Sequence, residues 1–307
     1  LEPGEDILHI IPQEYKIDQQ ANILEPIGMC GSKLEANFHV VAGQTAAIRN
    51  IQRCVIDAGL NISSINLEPL ASSSAVLSQE EKDAGVVLVD IGGGTTDIAI
   101  FKDGRIRHTA VIPFGGNIIT SDIKEGCAII EKQAEQLKIK FGSALPTESS
   151  ENEIVSIPGL RGRDPKEISI KNLSKIIKAR LEEILKDINR EVRIYSDQSE
   201  KNKLIGGIVL TGGGSKLKHI KQLTEFITGM SARIGFSNEH LSSGFPEELS
   251  SPIYATAVGL VLRNIDEMDS NFFHKEDEET HNPEGTSIFG DWKRGILEWL
   301  ANEKNNQ

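Results

Sequence analysis

Apolar and polar positions along this chain repeat with two periods, and the changes of period mark its elements. Residues 5 to 42 alternate short apolar runs with turns, as in "DILHIIPQEYKID" and "PIGMCGSKLEANFHVVAG", which predicts a small α+β unit with several strands. Over 44–59 the period lengthens. Ile48, Ile51, Val55 and Ile56 fall at helical spacing, and Gly59 is the expected C-cap. A short strand over Ile62 to Leu67 then leads into a second helix in "EPLASSSAVLSQEEK". Two strands follow in "GVVLVDIGGGTTDIAIF", 85–101, parted by three glycines and two threonines, and the second continues into "GRIRHTAVIPFGGN". Residues 119–141 predict one helix, with Ile123, Ile129, Ile130, Ala134 and Leu137 as its apolar face. A polar loop, "SALPTESSENE", and the segment "IVSIPGLRGRDPKEIS" precede a long amphipathic helix from Lys171 to Tyr195. Residues 203–229 predict a strand that ends in Gly212, Gly213 and Gly214 and passes straight into a helix burying Leu217, Ile220, Leu223 and Ile227.

Composition narrows the class. At 307 residues and 38% hydrophobic content the chain can bury a large core and predicts about two domains. The net charge of −12, with no Lys/Arg cluster dense enough to neutralise phosphates, argues against nucleic acid as a partner. Cys30, Cys54 and Cys127 are scattered without CxxC spacing, so neither a disulfide framework nor a zinc site is expected, and a reducing, cytoplasmic compartment fits best. No apolar stretch approaches a transmembrane span, and there is no secretory signal. None of the seven histidines has a ligand-like partner spacing, and Ser72, Ser73 and Ser74 are not flanked as a nucleophile elbow requires. The chain opens on Leu1, and "LEPGEDILHIIPQEY" reads as mid-domain, so a missing N-terminal part is expected.

The candidate chemistry lies in the glycines. A hairpin needs one or two residues with positive φ, not three glycines followed by two threonines. The excess in "DIGGGTTD" points to a backbone that a ligand approaches closely, offering N–H groups and hydroxyls to an anion, with Asp90 and Asp97 beside it for a hydrated cation. The alternative is a loose turn. In "IVLTGGGSKL" a strand, a triple glycine and a helix N-terminus form a second anion or nucleotide site, one that matches neither a Walker loop nor GxGxxG. Two such triplets, about 120 residues apart, suggest two lobes or layers clamping one nucleotide.

These segments resemble the second phosphate motif ("DIGGGTTD") and the adenosine motif ("IVLTGGGSKL") of the actin, sugar-kinase and heat-shock chaperone superfamily, and "SPIYATAVGLVL" its second connecting helix. "LEPLASSSAVL" sits where the first connecting helix belongs. More narrowly, "LHIIPQEYKID", "PIGMCGSKLEANFHVVAG" and "TSDIKEGCAIIEKQAEQLKIKFGSA" resemble the FtsA family of actin-like bacterial cell-division proteins, from residue 5 to the last helix. The resemblance implies an α/β, actin-like ATPase fold, two lobes around a nucleotide cleft, with an inserted small α+β subdomain. Residues 1–42 would be the rest of that interaction subdomain, 43–83 part of the first lobe, and 84–265 the second lobe with a connecting helix over 252–265. An acidic linker over 266–285 and an amphipathic membrane-targeting helix over 286–307 would follow. Nothing in the chain fits the family's first phosphate motif.

By matching positions, Gly92, Gly93, Gly94, Thr95 and Thr96 would cradle the β- and γ-phosphates of ATP, and Asp90 would hold Mg²⁺ through water. The alternative for Asp90 is simply to open the turn. Gly212, Gly213, Gly214 and Ser215 would pack against the ribose and α-phosphate. Glu135 and Lys138 would flank the adenosine, although an exposed i,i+3 ion pair looks the same in sequence. Glu68 matches an acidic position near the attacking water, but it is equally a residue at the start of a helix. The family implies ATP binding with at most weak ATPase activity. Its members self-assemble into filaments, act at the division septum on the cytoplasmic side of the inner membrane as peripheral proteins, tether the FtsZ ring and recruit later division proteins. A sugar or acetate kinase would share both glycine motifs and is the alternative. A chaperone ATPase needs a further β-domain, for which the roughly 44 residues after Arg263 are too few.

The last segment carries its own pattern. Residues 266–284 hold eight acids against one lysine and read as an extended tether. In "SIFGDWKRGILEWLANEK", Ile288, Phe289, Trp292, Ile296, Trp299 and Leu300 share one helical arc, with Asp291, Arg294, Glu298 and Asn302 opposite. Either that helix docks on the body of the protein or it lies at a lipid surface.

Overall fold

The computed structural model describes residues 1–148, 153–159, 164–197, 203–241 and 246–265. The chain divides into two compact units, Leu1–Leu262 and Arg263–Gln307, and of the second only residues 263–265, the end of a helix, are described. The acidic tether and Phe289, Trp292, Ile296, Trp299 and Leu300 therefore lie outside the described residues.

A five-stranded mixed sheet forms the centre. Its strands are β4 (Val86–Ile91), β5 (Thr96–Lys102), β6 (Arg105–Ile112), β9 (Ile208–Thr211) and β10 (Ala232–Ile234), in the order β10-β9-β4-β5-β6. β4 runs antiparallel to β5 and parallel to β9. Because side chains alternate across a strand, each strand feeds two cores. Val87, Val89, Ile91, Ile98 and Ile100 pack under α4 (Gly116–Cys127), α5 (Glu131–Phe141), α6 (Ile170–Ser196) and α7 (Ile220–Thr228). Val86, Leu88, Ala99 and Phe101 face α2 (Glu68–Val76) and a helix over 255–265, here α8. All six residues of β4 are buried, as expected of a central strand covered on both faces.

A separate three-stranded sheet precedes this, with β1 (Glu5–Ile17) between β2 (Gln20–Ile23) and β3 (Leu34–Gln44). It meets the β6 edge through polar contacts: Gln13 Nε2 donates to the Ile106 carbonyl at 2.9 Å and Arg105 donates to the Leu24 carbonyl at 2.7 Å. β7 (Ile154–Ile157) and β8 (Lys166–Ser169) form a hairpin ahead of α6, and α3 (Gln79–Ala84) begins at a capping box between Ser78 and Glu81.

Several expectations are corrected. Residues 60–67 form no strand, and the Leu67 N–H is bound instead by His9 Nε2 at 3.0 Å. The helix expected over 119–141 is two, broken at Ala128, whose φ of 48° lies in the left-handed region. The second hairpin strand does not run on, because Asp103 and Gly104, with φ of 53° and 72°, turn the chain back into β6. α1 (Thr45–Asp57) has the expected apolar spacing but no buried residue, with Ile51 60% and Ile56 62% exposed. Finally, the second glycine triplet opens a 3₁₀ turn, Gly213–Lys216, and α7 begins only at Ile220. No α-helix macrodipole therefore points out at those glycines.

Candidate functional site

Two glycine turns and one helix N-terminus meet at a groove of about 390 Å³ lined by Gly92, Gly93, Gly116, Asn117, Glu135, Lys138, Gly213 and Gly214 among others. The first turn is held from behind. Gly92 N–H closes it onto the Thr95 carbonyl at 2.9 Å, while the N–H groups of Gly116 and Asn117 bind the Gly92 and Gly93 carbonyls, both at 2.8 Å. Gly115 permits that approach, since a Cβ there would fall 2.6 Å from the Gly92 oxygen. With its carbonyls committed to α4, the turn presents N–H groups outward. Those of Gly93, Gly94 and Thr95 make no hydrogen bond among the described residues. A run of free N–H groups is a concavity for an anion.

At the far side, Gly212 leaves β9 with φ of 79°, and Ser215 Oγ donates back to its carbonyl at 2.7 Å, which tightens the turn into 3₁₀ form. Gly213 remains exposed, and a Cβ there would meet only Ile253 Cγ1, at 3.9 Å. Gly214 packs directly on Ile91.

Asp90, next to last in β4, lies on the α2–α8 face, is 4% exposed, and accepts from Ser72 Oγ at 2.8 Å. Burial holds its carboxyl above the ordinary aspartate value despite that bond, and the charge of Asp97 adds to the rise. Asp97 is raised by burial, partly offset by the Thr95 hydroxyl, which donates to it at 2.9 Å. Glu68, first residue of α2, is raised by burial and then by Asp90 and Asp97, with Thr256 Oγ1 3.4 Å from it. Among the described residues no three-residue set could cage a metal ion.

Lys138 and Glu135 are joined at 2.8 Å, with the lysine side chain 11% and the glutamate 42% exposed, so the pair is a wall of the groove rather than a solvated surface pair. Of the expected site residues, Gly92, Gly93, Glu135, Lys138, Gly213 and Gly214 line the groove, Glu68, Asp90, Gly94, Thr95 and Gly212 do not, and two expected hydroxyl donors are turned away from it. Thr96 is fully buried and its hydroxyl donates into the Phe114 carbonyl at 2.8 Å, so it cannot serve a phosphate. Ser215 is 3% exposed and spent on Gly212. The sequence reading missed Gly115, Gly116, Asn117 and Thr120. The glycine pair in "PFGGN", following a strand, was the available signal.

The family model described as "Cell division protein FtsA" matches residues 87–259, and "SHS2 domain inserted in FTSA" matches residues 1–42. The cell division protein FtsA of Escherichia coli K12 is 34% identical over 97% of this chain and 70% of its own length. The chain belongs to the FtsA family. The FtsA of Pseudomonas aeruginosa is 41% identical over 84% of the chain, and that of Neisseria meningitidis serogroup B is 40% identical over 84%. The chain spans 61% and 62% of the length of these two FtsA relatives. Among solved structures, the PilM–PilN type IV pilus biogenesis complex matches with TM-score 0.64 at 19% identity, over 86% of this chain and 67% of that one. MreB5 of Spiroplasma citri bound to AMPPNP matches with TM-score 0.58 at 22% identity, over 74% and 66%. The FtsA-family chain thus has the actin-like ATPase fold. Membership in a cell-division family sets aside the sugar- or acetate-kinase alternative.

Proposed function

We propose that this chain binds ATP with Mg²⁺ in the groove between the Gly92–Thr95 and Gly212–Ser215 turns, and that the nucleotide governs assembly rather than rapid turnover. The observation that carries the reading is the first turn itself. Its carbonyls are tied to α4, three successive N–H groups face out unbonded, and across the groove Gly213 keeps open space that the fold alone does not require. Gly93, Gly94 and Thr95 take the terminal phosphates, Asp90 the hydrated cation, Gly213 and Gly214 the sugar side, and Glu135 the ribose. Glu68 takes the attacking water, with slow hydrolysis at most; its closeness to Asp90 and Asp97, whose charges act on it, supports that role.

In the cell the protein is a peripheral protein of the cytoplasmic face of the inner membrane at the septum. It self-assembles head to tail through the small sheet of residues 5–44, tethers FtsZ and recruits later division proteins. Family membership supports this reading, and the AMPPNP held by the MreB5 neighbour supports the nucleotide site. Among the described residues no helix is long and apolar enough to cross a membrane, so attachment is assigned to residues 286–307. The test is reconstitution of the full natural protein on anionic vesicles with ATP and Mg²⁺. FtsZ should sediment with the vesicles only when the protein is present. Free FtsZ under those conditions would overturn the tethering role, and failure to retain ATP in equilibrium dialysis would overturn the nucleotide role.

A further inference from the structure

The lysine of the groove wall is already saturated. Its ammonium group has three hydrogens. They go to the Gly116 carbonyl at 2.8 Å, to Thr120 Oγ1 at 2.7 Å and to Glu135 Oε2 at 2.8 Å. Lys138 thus has no hydrogen left for a ligand. Thr120, 4% exposed on α4, stands at the centre of the group: it accepts from Lys138, and of the two acceptors its single hydroxyl hydrogen reaches, the Gly116 carbonyl at 3.2 Å and Glu135 Oε2 at 2.5 Å, the nearer and charged one takes it. Glu135 Oε1 makes no hydrogen bond among the described residues, and Glu135 lines the groove.

We propose that Thr120 is a positioning residue for nucleotide recognition, fixing the Glu135 carboxylate so that Oε1 accepts from a ribose hydroxyl. The inference rests on the nucleotide reading above. Oε2 is pinned by a hydroxyl and an ammonium, so the carboxyl plane is set by two bonds and the remaining oxygen can only accept. Burial would raise this carboxyl, but the bonds from Lys138 and Thr120 outweigh it and hold its pKa below the ordinary value, so it is ionised when a ligand arrives. An ionised acceptor selects hydroxyl donors and repels phosphate, which places the sugar at α5 and the phosphates at the glycine turns. α4 supplies both ends of the arrangement, Gly116 and Asn117 behind the phosphate turn and Thr120 one turn further on.

The experiment compares ATP with 2′-deoxy-ATP and 3′-deoxy-ATP by equilibrium dialysis on the full natural protein, with Thr120→Val, Thr120→Ser and Thr120→Ala variants. The unmodified protein should prefer ATP by about tenfold over at least one deoxy analogue, as expected for a hydrogen bond to a charged group. Thr120→Val and Thr120→Ala should bring that ratio to within about twofold, and Thr120→Ser should restore it. An unchanged ratio in the two hydroxyl-free variants, whether or not overall affinity or melting temperature falls, would overturn the positioning role and leave the nucleotide reading standing. Loss of ATP binding in the unmodified protein would overturn the nucleotide reading itself.

Discussion

Asp90 and Asp97 are direct partners across the β4–β5 ladder, so two carboxylates face one another on the side of the sheet that carries α2 and α8. Like charges opposite each other in a sheet are destabilising, and both groups are held above the ordinary aspartate value chiefly by burial. A hydrogen bond from Ser72, on α2, stabilises one side of this pair. Such a pair is tolerated where charge is useful, and a hydrated divalent cation would offset it.

That arrangement fixes a pH dependence. For a carboxyl whose pKa is raised on folding, stability is fully present below the unfolded value and is lost as pH rises through the folded value. Asp90→Asn should therefore be nearly neutral near pH 4 and stabilise the nucleotide-free protein increasingly above it. At pH 7 we expect a gain of about 1 kcal/mol, or about 2–4 °C in melting temperature. The same substitution should remove the additional stabilisation that Mg²⁺ gives to the ATP complex. Melting curves from pH 4 to 7.5, with and without Mg²⁺ and ATP, test both halves. A variant less stable than the parent at pH 7 without ligand would refute the account of the pair.

The second glycine triplet separates fold from ligand. Gly213→Asp adds a Cβ to open space at an ordinary φ, so the melting temperature should move by less than about 2 °C, while ATP binding weakens at least tenfold through steric and Coulombic repulsion. Gly214→Ala should do the reverse in stability, because its Cβ would overlap Ile91 Cγ2, an overpacking worth about 1–3 kcal/mol. Paired calorimetric melts and dialysis of the two variants decide it. Equal destabilisation would mean that both glycines serve packing alone.

Local pattern and tertiary geometry divided the legible from the illegible. The β4–β5 hairpin was readable because both strands are apolar on each face, which only a doubly covered strand requires. The long helix α6 was equally plain from its spacing, with Leu173, Ile177, Leu181 and Ile188 fully buried. The glycine turns were visible as a compositional excess. Their backing was not, since Gly116 and Asn117 reach Gly92 and Gly93 across more than twenty residues, and nothing local marks Thr120 as the partner of Lys138. Ala128 broke a helix that propensity favours, closing α4 in the left-handed region where alanine is rarely found. Thr96 and Ser215 were assigned by position in a motif, and strand alternation and a local back-bond turned their hydroxyls away.

Packing of α8 on α2 gives a third test. Gly259 is buried, and a Cβ on it would overlap the Ala71 carbonyl oxygen, so the two helices touch backbone to backbone. Gly259→Ala should force them apart at a cost of about 1–3 kcal/mol and lower the melting temperature by several degrees. Because Ser72 and Thr256 both meet Asp90 at this crossing, the change should also weaken Mg²⁺-dependent ATP binding. A variant with unaltered melting and unaltered Mg²⁺ dependence would show that the close approach has no consequence for the site.

The last test concerns residues 286–307, whose pattern rests on sequence alone. On a helix at 100° per residue, Phe289, Trp292, Ile296, Trp299 and Leu300 fall on one arc, with Asp291, Arg294 and Glu298 opposite. Such an arc either docks on protein or enters a lipid interface, where tryptophan favours the headgroup boundary. The eight acids of residues 266–284 favour the interface, since a run of like charges repels itself and gives an apolar helix no apolar spacer to fold back through. Full burial of each large apolar side chain contributes about 1.5–3 kcal/mol, and partial immersion of five or six of them offsets the cost of folding and confining the helix. The segment's near-balanced charges make apolar insertion the driving term, so binding should depend only modestly on salt. The full natural protein should sediment with anionic liposomes. Deletion of 286–307, or Trp292→Asp with Ile296→Asp, should leave it in the supernatant with its melting temperature unchanged. Equal sedimentation of the intact and deleted forms would reduce the segment to an ordinary surface helix and remove the membrane from the proposed role.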